Sequence, residues 1–407
     1  MEASLEIDLK ARITLLDVIR GFSILGILLM NIQSFSMIGQ AYNNPTAFSD
    51  LTGVNKWVWI FSHIIADQKF LSIFSMMFGA SIIMIAQDIE RKGQSSVRMH
   101  YTRNFWLLII GLLHAYLIWY GDILAPYAVC SFLVFPFRKL SPKVLFITGI
   151  LVFSINSIGE IVTGLSFLKL SNDDIQNIMG SWSPNVNQIN QEVHAYLGSY
   201  SEQLMQRVRT ALMMHTYYFP HHYFWRVSGL MLIGMSIFKS GFLTGNLDVK
   251  IYKRILKYVG TISFFLVVFG LIENFKFGWS IEYSMFFGSQ FNYWGSFGMA
   301  FAYISGLVLI CRSGRFTPFT KRMEAIGRTA LSNYILQSLI CTSIFYGFGL
   351  GLFGQVERIW QLSITMMVWT IQIYLSMFWI KCFKYGPMEW IWRSLTLGKI
   401  QNMHWSG

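Results

Sequence analysis

Asp17 and Arg20 lie three residues apart in LLDVIRGFSILGILLMN, residues 15–31, an otherwise apolar run. A helix sets positions i and i+3 on one face, so a carboxylate and a guanidinium would be neighbours there. With the helix starting near Ile13, Arg20 would lie roughly 10 Å along it, at 1.5 Å per residue. Each such charge costs about 2.5–3.5 kcal/mol at a bilayer centre. The pair therefore reads either as an ion pair closing a helix bundle or as the wall of a polar pocket where Arg20 receives an anion. Gly21 and Gly26 allow a neighbouring helix close approach under both readings.

His63 and Asp67, in WVWIFSHIIADQKFLSIFSMMFGASIIMI (57–85), are i and i+4. A carboxylate so placed holds an imidazole in one tautomer and raises its basicity, as a general base requires. If the helix instead begins near Lys69, both residues sit on a solvated turn. His114 and Asp122 occur in GLLHAYLIWYGDILAPYA (111–128), where Asp122 opens a tight hairpin. His63 and His114 are thus candidate bases, and Asp67 and Asp122 are candidate orienters. A lone histidine in a span also serves as a hydrogen bonder between helices. HTYYFPHHYFWR (215–226) brings His222 and Arg226 toward the same side as candidate substrate contacts, with aromatics that suit an interfacial belt. Asn333 and Gln337, i and i+4 in GRTALSNYILQSLI (327–340), form a polar stripe. That stripe either binds substrate or joins helices by hydrogen bonds worth about 0.6 kcal/mol each. No HExxH, GxSxG, Walker or zinc-ligand pattern occurs, so no metal is expected and any chemistry rests on isolated intramembrane residues.

Such residues need an apolar scaffold. Of 407 residues, 54% are hydrophobic and 13% charged, about half the charge of a typical soluble domain. The fold class expected is all-α, a polytopic integral membrane protein of about ten helices, near 13–33, 57–86, 104–120, 123–137, 144–168, 220–238, 256–275, 286–310, 329–350 and 359–380. With these spans, 23 of the 32 Lys and Arg residues fall on one side and six on the other, Arg20, Lys69 and Arg226 lying within spans. The asymmetry puts both termini in the cytoplasm and the chain in the inner membrane. It also accounts for the net charge of +12 without nucleic acid, so the partner this composition implies is membrane lipid. A homodimer is compatible with this composition. Residues 1–12 mix Glu2, Glu6 and Asp8 with Lys10 and Arg12, which is unlike a cleavable signal peptide. The four cysteines lie in or beside spans and imply no disulfide framework.

Three parts follow: an N-terminal five-helix part (1–168), an outer insertion (169–218) and a C-terminal five-helix part (219–407). Val193, Leu197, Leu204, Val208 and Leu212 recur at helical spacing in the insertion and predict one amphipathic helix, on the membrane surface or capping the bundle. No internal repeat supports inverted transporter symmetry.

The segments LLDVIRGFSILGILLMN, KFLSIFSMMFGAS, GDILAPYA, WRVSGLMLIGMSIFKSGFL, GRTALSNYILQS, FYGFGLGLFG and KYGPMEWIWRSLT, in this order, resemble the YeiB family of bacterial membrane proteins, across nearly all of the chain outside 169–218. The N-terminal part is more distantly similar to membrane acetyltransferases of the heparan-α-glucosaminide N-acetyltransferase type, through the LDxxRG opening and Ala66-Asp67 followed by Phe78-Gly79-Ala80-Ser81. In those enzymes the histidine lies further upstream of the AD pair than His63 does. The resemblance implies acyl-CoA as co-substrate, held from the cytoplasm near Asp17, Arg20 and the basic inner loops, and acyl transfer to an outer hydroxyl or amine of a small-molecule or glycan acceptor. The alternatives are a transporter for a small anionic metabolite, lined by the same charges, and a non-catalytic scaffold.

Overall fold

The computed structural model describes residues 2–405, with side chains from Thr14 onward except at 172, 173, 176 and 177. Lys10 and Arg12, counted above on the basic side, lie outside the described side chains.

The opening helix α1 (Glu2–Ser36) is followed by a one-turn α2 (Gln40–Asn43). The apolar run expected to form one span is two helices, α3 (Gly53–Ile65) and α4 (Lys69–Arg91). The chain breaks at 66–68, with Gln68 in the left-handed region at φ 63°. The break has an evident cause, because Asp67 and Lys69 both reach the side-chain amide of Asn292, at 2.7 and 2.5 Å. A continuous helix would point them 200° apart. The helix does begin at Lys69, but His63 and Asp67 are buried and do not lie on a solvated turn.

α5 (Ser96–Leu117) and α6 (Leu124–Val134) form the tight hairpin, and α7 (Pro142–Phe167) follows. Ser95 and Ser141 cap α5 and α7 by accepting from backbone N–H groups in the first turn. The insertion holds α8 (Asn172–Met179), α9 (Val186–Leu197) and α10 (Tyr200–Met213). Capping boxes at Asn185/Gln188 and Ser199/Glu202 start α9 and α10 separately, so the single amphipathic helix expected here is two. Its predicted stripe is only part-covered, and Leu212 is exposed; the face turned inward is Tyr196, Gln203, Arg207 and Ala211. Polar residues suit that face because it rests on the end of α5, where Arg207 Nε donates to the Tyr116 carbonyl at 3.0 Å.

The C-terminal part comprises α11 (Phe224–Lys239), α12 (Val249–Arg254), α13 (Gly260–Lys276), α14 (Ser289–Ser313), α15 (Thr317–Arg328), α16 (Ala330–Phe345), α17 (Arg358–Cys382) and α18 (Pro387–Leu397). Among the described residues, six stretches are long and apolar enough to cross a membrane: 14–36, 53–91, 142–167, 249–276, 281–313 and 358–382; Ala330–Phe345 is a shorter apolar helix. The protein is therefore an all-α polytopic membrane protein. Among the other expected spans, α6 and α11 have only 11 and 16 residues. Every residue of α11 from Arg226 to Phe238 is buried, so this helix forms the centre of the bundle, packed between α4 and α7.

Close helix crossings depend on glycine. A Cβ on Gly21 would overlap the Met323 carbonyl, and one on Gly327 would overlap the Asp17 carbonyl, so α1 and α15 meet backbone to backbone. Gly327→Val is expected to cost about 1–3 kcal/mol or more through overpacking. The readout is a lower thermal midpoint of the detergent-solubilised protein, and an unchanged midpoint would contradict the crossing.

Candidate functional site

The α1–α15 crossing sets Arg20 at the edge of a cavity of about 280 Å³ at the end of the bundle that carries the basic loops. Arg20 Nη1 donates to Asp17 Oδ1 at 2.5 Å and to the Gly327 carbonyl at 3.4 Å. Asp17 is buried behind it, while Arg20 lines the cavity, so the pair is not a dry latch. Arg103 and Arg328 line the same space. Arg103 sits 4.1 Å over the Trp392 ring, a cation–π contact that fixes it at the wall. It is also within electrostatic reach of Arg20 and Arg393.

One carboxylate lines this wall, that of Glu389, and it is already bonded. It accepts from the Leu331 and Ser332 N–H groups at 2.6 and 3.2 Å and from Ser332 Oγ at 2.5 Å, capping the start of α16 from a distant helix. Burial raises its carboxyl above the ordinary value, against the pull of these donors. The cavity therefore presents three guanidinium groups over apolar walls, an arrangement suited to a polyanion carrying an apolar tail.

Positions 100, 103, 104 and 107 of α5 line the cavity, a sequence of i, i+3, i+4 and i+7. Continuing that face by seven residues, roughly 10 Å, reaches His114. Likewise Leu331 and Tyr334 of α16 line the cavity, and the next turn carries Ser338. His114 Nδ1 meets Asp122 Oδ1 at 2.9 Å, and His114 Nε2 meets Ser338 Oγ at 2.8 Å. Asp122 Oδ2 accepts from Ala125 N–H at 2.8 Å, which fixes the carboxylate. With Asp122 accepting the Nδ1 proton, Nε2 carries the lone pair and can accept the Ser338 hydroxyl. His114 is 1% exposed. Tyr334, whose ring is 5.1 Å from the imidazole, is also a lining residue of the cavity.

The other predicted pair lies elsewhere. His63 Nδ1 meets Asp67 Oδ2 at 3.2 Å, and its ring stacks on Trp59. Lys69, fully buried, donates to the His63 carbonyl at 2.8 Å and to Asn292 Oδ1. Arg226, within electrostatic reach of Asp67, donates to Ser72 and Ser296 hydroxyls, while its Nε and Nη1 have no hydrogen-bond partner. No residue of this cluster lines the cavity. His222 stands apart, 3.4 Å from Glu160. Asn333 and Gln337, expected as substrate contacts, are helix clamps. Asn333 Nδ2 donates to Ser376 Oγ at 2.8 Å, and Gln337 Nε2 donates to Gln372 Oε1 and the Ile24 carbonyl at 3.0 and 3.1 Å. They face α1 and α17, away from the cavity.

Comparison with known proteins places this architecture. The chain is 31% identical over 396 residues to "Uncharacterized protein YeiB" of Escherichia coli (strain K12), covering 94% of this chain and 95% of that protein. The chain belongs to the YeiB family. It is 30% identical to "Uncharacterized protein YxaH" of Bacillus subtilis (strain 168), covering 95% and 94% of the two chains. Residues 237–399 match the family described as "Protein of unknown function (DUF418)". In this YeiB-family chain the matched stretch supplies Arg328, Glu389 and Trp392 to the cavity, and Ser338 to His114.

Glu389, Asn292 and Ser338 were not anticipated as site residues, and Arg103 and Arg328 only as members of the basic inner loops. The α5 face was readable, because Ser96, His100, Arg103 and Asn104 repeat at helical spacing beside apolar positions. The Glu389 cap is testable on its own. Glu389→Ala should cost about 0.5–2 kcal/mol, the range for a lost helix cap, read as a lower thermal midpoint. A midpoint equal to that of the unaltered protein would show that α16 does not depend on it.

Proposed function

We propose that this protein is a membrane-embedded acyltransferase that takes its acyl group from acyl-CoA on the cytoplasmic side and passes it to an acceptor hydroxyl or amine. The single observation that carries this reading is the continuous line on α5 and α16 from a three-arginine cavity to a histidine held by a carboxylate. Guanidinium groups pair with phosphate oxygens by forked hydrogen bonds, which suits Arg20, Arg103 and Arg328 to the nucleotide end of CoA. The apolar cavity walls suit the arm and acyl chain. His114 is the base and Asp122 its orienter; such a base contributes about 10²–10⁴-fold to rate. His63 and Asp67 hold the break between α3 and α4, and Arg226, with two nitrogens free of partners, receives an acidic group of the acceptor. No metal enters this scheme.

The test is thermal stabilisation of the detergent-solubilised protein by a panel of CoA thioesters. A donor at roughly 100 times its dissociation constant should add about 2.7 kcal/mol of stability. Arg20→Ala and Arg103→Ala should each blunt that response, and a flat response across the panel defeats the reading. In membrane vesicles, His114→Ala should lower thioester-dependent CoA release by about 10²-fold or more, whereas His63→Ala should lower it less than about tenfold. Unchanged release in His114→Ala would remove the base from the scheme.

A further inference from the structure

A reaction with its donor on one side and its acceptor on the other must keep the two routes from becoming one open channel. The geometry around His114 suggests how. The cavity lies toward the basic end, and Tyr334, whose ring is 5.1 Å from the imidazole, is part of its wall. On the far side of His114 the bundle is closed: Trp119 stacks on Phe35 at 3.9 Å, and Tyr120, Tyr196 and Tyr346 pack over them. Arg207 holds α10 down on the end of α5. An acceptor arriving from the far side therefore has no path to a thioester while this closure stands.

We infer that Ser338 is a nucleophile that carries the acyl group as a covalent ester between two half-reactions. Ser338 Oγ is 2.8 Å from His114 Nε2, and His114 Nδ1 is 2.9 Å from Asp122, so the three groups form a hydroxyl–imidazole–carboxylate relay. The hydroxyl has a second acceptor in the Tyr334 carbonyl, but at 3.5 Å that contact is the weaker. In the first half-reaction His114 Nε2 takes the Ser338 proton and Oγ attacks the thioester carbonyl carbon. The carbon–sulfur bond then breaks, and the CoA thiolate leaves with the proton from Nε2. In the second, Nε2 takes a proton from the acceptor hydroxyl or amine, whose oxygen or nitrogen attacks the ester carbonyl. The bond to Oγ breaks, and the proton returns to Ser338. The ester stays on the enzyme while the donor route empties and the far side opens, so the two routes need never be open together.

The inference rests on the acyltransferase reading, and one experiment separates the two. Full-length protein in nanodiscs is incubated with acetyl-CoA, and in parallel with palmitoyl-CoA, together with radiolabelled free CoA and no acceptor. An ester intermediate makes the protein exchange label into the thioester. It also adds the acyl mass to the peptide containing Ser338. Ser338→Ala should lose the adduct and lower exchange by about 100-fold or more, while Ser338→Cys should retain an adduct as a thioester. Thermal stabilisation by the same thioester is measured on each variant, so that misfolding is not read as lost chemistry. Stabilisation without exchange or adduct, or exchange that persists in Ser338→Ala, overturns the serine relay and leaves the acyltransferase reading standing. No stabilisation by either thioester and no exchange in the unaltered protein overturns both.

Discussion

A charge inside an apolar bundle must be matched, because an unmatched one costs several kcal/mol and no water is at hand to relieve it. That constraint organises this molecule. Asp17 is answered by Arg20, Asp67 by His63 and Asn292, and Asp122 by His114 and a backbone N–H. Arg358 is buried between Gln33 and the Pro45 carbonyl, and Arg207 is buried against the carbonyls that end α5. Matching is incomplete at Arg226 Nε and Nη1, and also at Arg207 Nη2 and Arg358 Nε, which have no hydrogen-bond partner, while Arg20, Arg103 and Arg328 face the cavity. A spare N–H therefore does not by itself separate functional charge from structural charge, and neither does depth; facing the cavity does.

The same requirement shapes the backbone. A helix interior offers no free backbone acceptors, so buried cations that need carbonyls collect where helices stop. Arg207 does so at the end of α5, Arg358 beside the turn at Pro45, and Lys69 at the break after α3. All three contacts draw loops and helix ends of the far side into the core. At the basic end the arginines line space instead, and Glu389 and Ser332 cap the starts of α16 and α18 across the bundle. The bundle is consequently open at one end and laced shut at the other.

Much of the fold was readable from apolar runs and the Lys/Arg asymmetry, because both follow directly from the thickness and chemistry of a bilayer. The boundaries failed where polar contacts overrule periodicity. Asp67-Gln68-Lys69 looks like an interruption in a helix, and only Asn292, more than 200 residues away, turns it into a break. The site was readable in pairs close in sequence: Asp17 with Arg20, His63 with Asp67, His114 with Asp122 eight residues on. Ser338 was not, since 224 residues separate it from His114 and nothing local marks it out from other span serines. The i, i+4 spacing of Asn333 and Gln337 was visible, but spacing does not say which face a neighbouring helix covers. α1 and α17 cover theirs.

The asymmetry between the two ends also bears on how the far side could open. The hairpin between α5 and α6 carries Asp122 and packs under the insertion, held by a set of polar contacts. Arg207 donates to the Tyr116 and Ile118 carbonyls, Tyr200 OH to the Leu117 carbonyl at 2.8 Å and Tyr120 OH to the Ser34 carbonyl at 3.2 Å, while Tyr334 OH accepts from Ile123 N–H at 3.1 Å and donates to the Gly121 carbonyl at 3.4 Å. At about 0.5–1.5 kcal/mol net for each hydrogen bond, releasing all six costs about 3–9 kcal/mol before any aromatic surface is separated. That exceeds the roughly 2.7 kcal/mol available from a ligand at 100 times its dissociation constant. Ligand occupancy can therefore bias this hairpin only if some of these partners, and the aromatic stack of Trp119 on Phe35, move with it as one unit. A stack left behind would add its own burial energy to the cost and hold the far side closed.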